Sequence, residues 1–208
     1  MNQIFLSSLV VVATMLGAGM VLPQILRLHR TASTNGVSAA WIGVGIAMNA
    51  WWTAYAVGTG LWGLLPVAFG GVLLYGVLAA QVLGINGGSA LRQLLIGALV
   101  LGAIPLPALI LGGIEAAGIA VGLCYAVQFT PAVIESLRAS DLRGLSFSTW
   151  IMALGEAAIW AVYGLAIADV ALIIGGAGGT FASAIIVVQI VRVLRPRIVY
   201  TGLIEYTS

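Results

Sequence analysis

Scarcity of charge is what most constrains this chain. Only 14 of its 208 side chains are formally charged, eight of them Arg with no Lys, and they punctuate long apolar runs. Soluble domains carry about 25% charged residues, whereas this chain has 7%, too few to clothe a water-facing surface. With 62% hydrophobic residues, the missing solvent has to be a bilayer. A span takes about 20 apolar residues. Runs bounded by Gly, Pro or charge place seven candidate helices at 4–28, 38–57, 61–84, 93–112, 115–137, 147–167 and 170–193. The first run has neither a basic segment ahead of it nor a small-residue cleavage site before Arg27, so it is expected to remain in the protein. The expected fold class is an all-α membrane protein with seven transmembrane helices.

The arginines orient this arrangement. Arg27 and Arg30 follow the first helix, Arg92 the third, Arg138 and Arg143 the fifth, and Arg192, Arg195 and Arg197 the seventh. All eight fall on one side of a seven-helix chain, while the opposite loops hold only Glu115 and Asp169. Basic flanks are retained in the cytoplasm, so the N-terminus is expected outside and the C-terminus inside, in the cytoplasmic membrane of the cell. A six-helix count would scatter the arginines over both faces. Trp41, Trp150 and Trp62 fall near expected interfaces, where tryptophan serves as an anchor.

An internal repeat emerges when the chain is shifted by 108 residues. Pro23 falls on Pro131, Arg30 on Arg138, Gly36 on Gly144, Ser38 on Ser146, Trp52 on Trp160, Tyr55 on Tyr163, Gly70-Gly71 on Gly178-Gly179 and Gln81 on Gln189, without a gap. Apolar helices match Leu and Val by chance, but not Pro, Trp, Tyr, Gly-Gly and Gln in one register. The domain reading is a first three-helix repeat over 1–86, a linker helix over 87–113, a second repeat over 114–196 and a cytoplasmic tail over 197–208. Two odd-numbered units can face the same way only if one extra span inverts the chain between them. The fourth helix, with Pro105 and Pro107 and no counterpart, is that spacer.

Chemistry-bearing residues are few. A single cysteine, Cys124, excludes an internal disulfide, and with one histidine, His29, in a polar loop there is no metal-ligand set. No catalytic constellation is visible, so neither an enzyme nor a cofactor is expected, and nucleic acid is not an expected partner. Pro23 and Pro131 each remove a helical hydrogen bond, which serves either as a hinge or as a static kink. Asn49 precedes Trp52 by three residues and Glu156 precedes Trp160 by four, so each shares a helical face with its tryptophan. An ionised acid at mid-bilayer costs about 2.5–3.5 kcal/mol, so Glu156 should face the bundle interior or water. There it serves either as a proton-exchanging group or as a neutral acid binding helices together.

Three-helix repeats joined by an inversion linker resemble the SWEET sugar transporters and the wider PQ-loop (MtN3/saliva) superfamily, whose parallel-repeat architecture is known. The segment from Gly19 through Pro23-Gln24 and Thr34-Asn35-Gly36-Val37-Ser38 to Tyr55 looks like a PQ-loop repeat. The segment from Leu142-Arg143-Gly144-Leu145-Ser146 through Trp160 and Tyr163-Gly164 to Asp169 is similar to the single-repeat bacterial SemiSWEETs. The whole resembles two fused SemiSWEET-like units. The resemblance implies a transporter moving a small polar solute, a mono- or disaccharide, by facilitated alternating access. It places Trp52 and Trp160 at the substrate cavity with Asn49 and Glu156 on the same faces. It makes Pro23, Gln24 and Pro131 hinge residues, and Tyr55, Tyr163 and Asp169 an extracellular gate. Where sugar-carrying relatives hold a substrate-facing Asn, this chain has Ala68 and Gly176, and the second repeat reads Pro131-Ala132 where the first has Pro-Gln. A proton-coupled carrier of amino acids or another solute, using Glu156, and a non-transporting PQ-loop receptor are the alternatives. Expected partners are the solute and the lipid bilayer, with self-association left open.

Overall fold

The computed structural model describes residues 2–35, 37–138, 142 and 145–204, with side chains as far as Val193. Gly36, Arg143, Gly144 and the tail beyond Ile204 lie outside the described residues, as do the side chains of Arg195 and Arg197. Every regular element among the described residues is helical: α1 (Gln3–Thr31), α2 (Ala39–Thr59), α3 (Leu65–Asn86), α4 (Gly88–Gly102), α5 (Pro105–Val127), α6 (Thr130–Arg138), α7 (Phe147–Ile167) and α8 (Val170–Ile204). Five helical stretches are long and apolar enough to cross a membrane: Gln3–Thr31, Leu65–Asn86, Pro105–Arg138, Phe147–Ile167 and Val170–Val193. The other two candidate spans are different in kind. Trp41, Asn49, Trp51, Trp52, Thr53 and Tyr55 make α2 less apolar, and α4 has only 15 residues.

Local chemistry sets the helix ends, and it does so twice. Ser38 caps α2 by accepting a hydrogen bond from the Trp41 amide (3.2 Å), and Ser146 caps α7 by accepting one from the Thr149 amide (3.3 Å). Each satisfies an orphan donor of the first turn. At the far ends, Gly60 (φ 71°) and Ala168 (φ 58°) close α2 and α7 in the left-handed conformation, which turns the chain and satisfies a last-turn carbonyl. Both pairs are 108 residues apart.

Breaks follow glycine and proline. The run expected as one helix over 93–112 instead starts at Gly88 and is interrupted at Ala103 and Ile104. Pro105 and Pro107 have no N–H to continue the ladder, and Pro105 starts α5, where that donor is not needed. Gly87 (φ 61°) and Gly113 (φ 71°) turn the backbone on either side of this segment. A further break separates α5 from α6 at Gln128 and Phe129, just ahead of Pro131.

Packing closes six helices into a ring. α1 packs on α3 and α7, α2 on α3 and α5, and α8 on α5 and α7. α4 lies outside, chiefly against α2. That contact is backbone to backbone: a Cβ on Gly43 would overlap the Leu94 carbonyl, and one on Gly97 the Ala40 carbonyl. The indole of Trp51 donates to the Gly102 carbonyl (2.8 Å), satisfying an otherwise unpaired end of α4. One core cluster holds Ala13 with Val121, Trp52 with Trp160, Tyr55 with Tyr163 and Leu64 with Leu172, each pair again 108 apart. The outside of the ring is apolar, with Ile4, Met15, Ile110, Leu111 and Phe181 almost wholly exposed. Water-soluble monomers rarely show so much contiguous apolar surface.

Candidate functional site

Between the helices of the ring lies a cavity of about 730 Å³, a size suited to a small molecule. All six residues expected to touch substrate line it: Asn49, Trp52, Ala68, Glu156, Trp160 and Gly176. They come from α2, α3, α7 and α8, so the ring's packing assembles the site rather than any one segment. Gln24 and Pro131 also line the cavity, whereas Pro23, on the exposed side of α1, does not.

The tryptophans are held by aromatic edges. Trp52 meets Tyr55 (5.9 Å between centroids, 79°) and Trp160 meets Tyr163 (5.6 Å, 79°), a repeated T-shaped pair of the kind that ring quadrupoles favour. Asn49 donates to the Gly45 carbonyl (2.8 Å), and its side chain occupies the space that a Cβ on Gly71 would need. Its repeat mate, Ala157, sits against Gly179 in the same way. The two sides of the cavity therefore share a frame but differ in polarity. Gly176 serves close packing, because a Cβ there would meet the Ala161 backbone on α7, while Gly175 leaves room for the Trp52 ring.

Glu156 is 7% exposed and borders the cavity from α7. Trp160, one turn on, lines the cavity with it. Gly17 faces Glu156 from α1, where an added Cβ would lie 3.0 Å from Oε1. Tyr75 and Tyr125 lie around the same carboxyl and line the cavity. Neither tyrosine was singled out by the sequence, nor were Gln128 and Glu135, which line the same cavity. Gln128 lies one turn before Ala132, so a glutamine faces the cavity beside Pro131 even though the Pro-Gln pair is broken there.

One end of the cavity is shut. Leu64 and Leu172 line it, but the expected gate residues Tyr55, Tyr163 and Asp169 lie beyond. The Tyr55 hydroxyl donates to Asp169 Oδ2 (2.8 Å), and Asp169 Oδ1 accepts from the Leu172 amide (2.9 Å), capping α8. Tyr163 packs its hydroxyl against Gly63. Toward the other end the lining continues past Gln24 to Ser38, Trp41, Thr149, Trp150 and Glu135. Phe129, at the break before Pro131, joins Trp41 (6.4 Å), Tyr125 (5.5 Å) and Trp150 (5.9 Å) in one aromatic cluster. Two tryptophans expected as interfacial anchors thus also border the cavity.

The two prolines are not equivalent. Pro23 lies inside the unbroken α1, whereas the chain at Pro131 is split into α5 and α6. A nearby carbonyl receives a side-chain donor in each repeat: Gln81 Nε2 reaches the Ile25 oxygen (3.4 Å) and Ser136 Oγ the Val133 oxygen (2.8 Å). Ile25 and Val133 are repeat mates. No protein-family model matches the chain, and no curated protein matches its sequence.

Proposed function

We propose that this protein is a carrier in the cytoplasmic membrane, built as two parallel three-helix bundles around an inverting linker helix in 3+1+3 order. It moves a small polar solute down its gradient by alternating access. The mono- or disaccharides implied by the SWEET resemblance are the first class to test. The observation that carries this reading is a cavity between repeat-related walls, lined up to the arginine-bearing helix ends and sealed at the other by Leu64, Leu172 and the Tyr55–Asp169 bond. With the arginines inside, the conformation is inward-facing. Gly87 and Gly113 mark the ends of the linker. Aromatic walls at Trp52 and Trp160 suit a ring-shaped or compact solute, since an indole face covers C–H groups while its N–H bonds a polar substituent.

The second reading, proton coupling through Glu156, is favoured by one observation, the placement of that buried carboxyl on the cavity wall. Counterflow in proteoliposomes with a panel of labelled sugars, amino acids and amines tests both. A carrier gives saturable exchange that Trp160→Ala reduces at least tenfold. Glu156→Gln spares exchange in a uniporter but abolishes pH-driven accumulation in a coupled carrier. Absence of flux for every solute refutes the carrier reading and leaves a receptor.

A further inference from the structure

The charges around the cavity are one-sided. Every helix except α4 contributes to its wall, and among the described lining residues the only acidic or basic side chains besides tyrosine are Glu156 and Glu135. Among the described residues, no Arg or His lines it. Arg27 donates to the Asn35 carbonyl (3.0 Å), and Arg138 lines an adjoining groove that shares Trp41, Gln128, Pro131 and Glu135 with the cavity. Glu156 is therefore a buried carboxyl without a cationic side chain among the described residues of the cavity surface to neutralise it. An uncompensated acid within the apolar region is costly and marks a pathway for solute or ion.

The rest of the wall is aromatic. Trp52, Tyr75, Tyr125 and Trp160 line the cavity with Glu156, as do Trp41 and Trp150 with Glu135. Aromatic faces attract cations through the ring quadrupole, most strongly where water is excluded. A carboxylate within an aromatic enclosure is complementary to an ammonium group, whereas an anion would meet repulsion from Glu156 without any donor cation to offset it. A neutral sugar would leave the acid unpaired and would lack the amides that Ala68 and Gly176 replace.

From this we infer that the solute is an organic cation whose ammonium sits at Glu156 among Trp52, Tyr75, Tyr125 and Trp160, with Glu135 drawing it toward the open end. An amino sugar or another compact amine meets these demands. The inference deepens the carrier reading and rests on it for the transport step, but its binding step stands alone.

The test reads binding, not flux. Purified full-length protein in detergent at pH 7, where the glucosamine amine is mostly protonated, is titrated with matched pairs that differ in charge, glucosamine with glucose and choline with its neutral isostere 3,3-dimethylbutan-1-ol. Tryptophan fluorescence and thermal melting follow binding. At least one cation should give a saturable response, with its neutral partner weaker by about tenfold or more, as expected for loss of a desolvated cation against aromatic faces. Glu156→Gln should erase that preference and Glu156→Asp retain part of it. Equal response to both members of each pair, no saturable response to either cation, or an undiminished preference in a folded Glu156→Gln protein overturns the inference. The matched pairs are read on the wild-type chain, so a variant that fails to fold leaves the comparison decisive. Cation binding without counterflow would sink the carrier reading alone.

Discussion

Asp169 divides its two oxygens between an amide at the start of α8 and a phenol on α2. The first bond holds a helix end and the second ties one repeat to the other. Removing the phenol hydroxyl costs the second while sparing the first. A part-buried hydrogen bond to a charged group contributes about 1.5–3 kcal/mol, so on the carrier reading Tyr55→Phe should raise the outward-open population by about tenfold or more. The check is alkylation of a cysteine at Ala13, buried in the sealed state, by an impermeant reagent in a Cys124→Ser background; an unchanged rate refutes a gating role. Ala168 offers a stability test at the same scale. Its φ of 58° carries a Cβ penalty of about 1 kcal/mol that glycine avoids. Ala168→Gly should therefore raise the melting temperature in detergent, whereas Gly60→Ala at its repeat mate should lower it.

Much of the helical pattern was legible because Gly, Pro and Ser mark ends wherever they occur. Rotation of each helix about its axis was not. A helix apolar on all sides has no polar face to read, so Tyr75 and Tyr125 look alike in sequence whether they meet lipid or cavity. Only neighbours decide. Asn49 and Glu156 were legible because bilayer excludes polar groups from the outer face, and that argument weakens for tyrosine and vanishes for glycine. Gly176 is the case in point: its place on the cavity wall depends on how tightly α8 seats against α7. The prolines show the same limit, being equal in sequence yet unequal in structure. Only Pro131 accompanies a split helix, with Phe129 wedged into the aromatic cluster. Pro131→Ala restores a donor and lets α5 and α6 join, so it should slow counterflow by about tenfold while leaving stability unchanged or higher. Pro23→Ala, within the unbroken α1, should change flux by less, since regaining an interior helix donor acts on stability, where an interior proline costs about 3 kcal/mol or more. Equal slowing by both would show that the split at Phe129 is not the moving part.

At the scale of the whole molecule, the repeat and the ring make a joint demand on sidedness. α1 meets α7 while α2 meets α5, so each repeat touches the other through corresponding helices, as a twofold axis through the cavity requires. If that axis stands along the membrane normal, the loops after α1 and α6 lie on one face, and this requires one extra crossing by the segment between Gly87 and Gly113. If it lies in the membrane plane, those loops are on opposite faces and the sealed and open ends of the cavity lose their meaning. Hydrogen bonds already bring some of these ends together: Asn86, closing α3, pairs with Thr34 in the loop after α1 (3.0 Å), and the cavity reaches the first turns of both α2 and α7. Cysteines at Ser33, Ser89 and Ser148, each in a Cys124→Ser chain, should therefore react with an impermeant maleimide only in inside-out vesicles, and cysteines at Thr59 and Val170 only in right-side-out ones. Labelling of Ser33→Cys and Ser148→Cys from opposite sides would place the axis in the membrane plane and remove the inward-facing assignment, while labelling of Ser89→Cys from outside would deny α4 its inverting role.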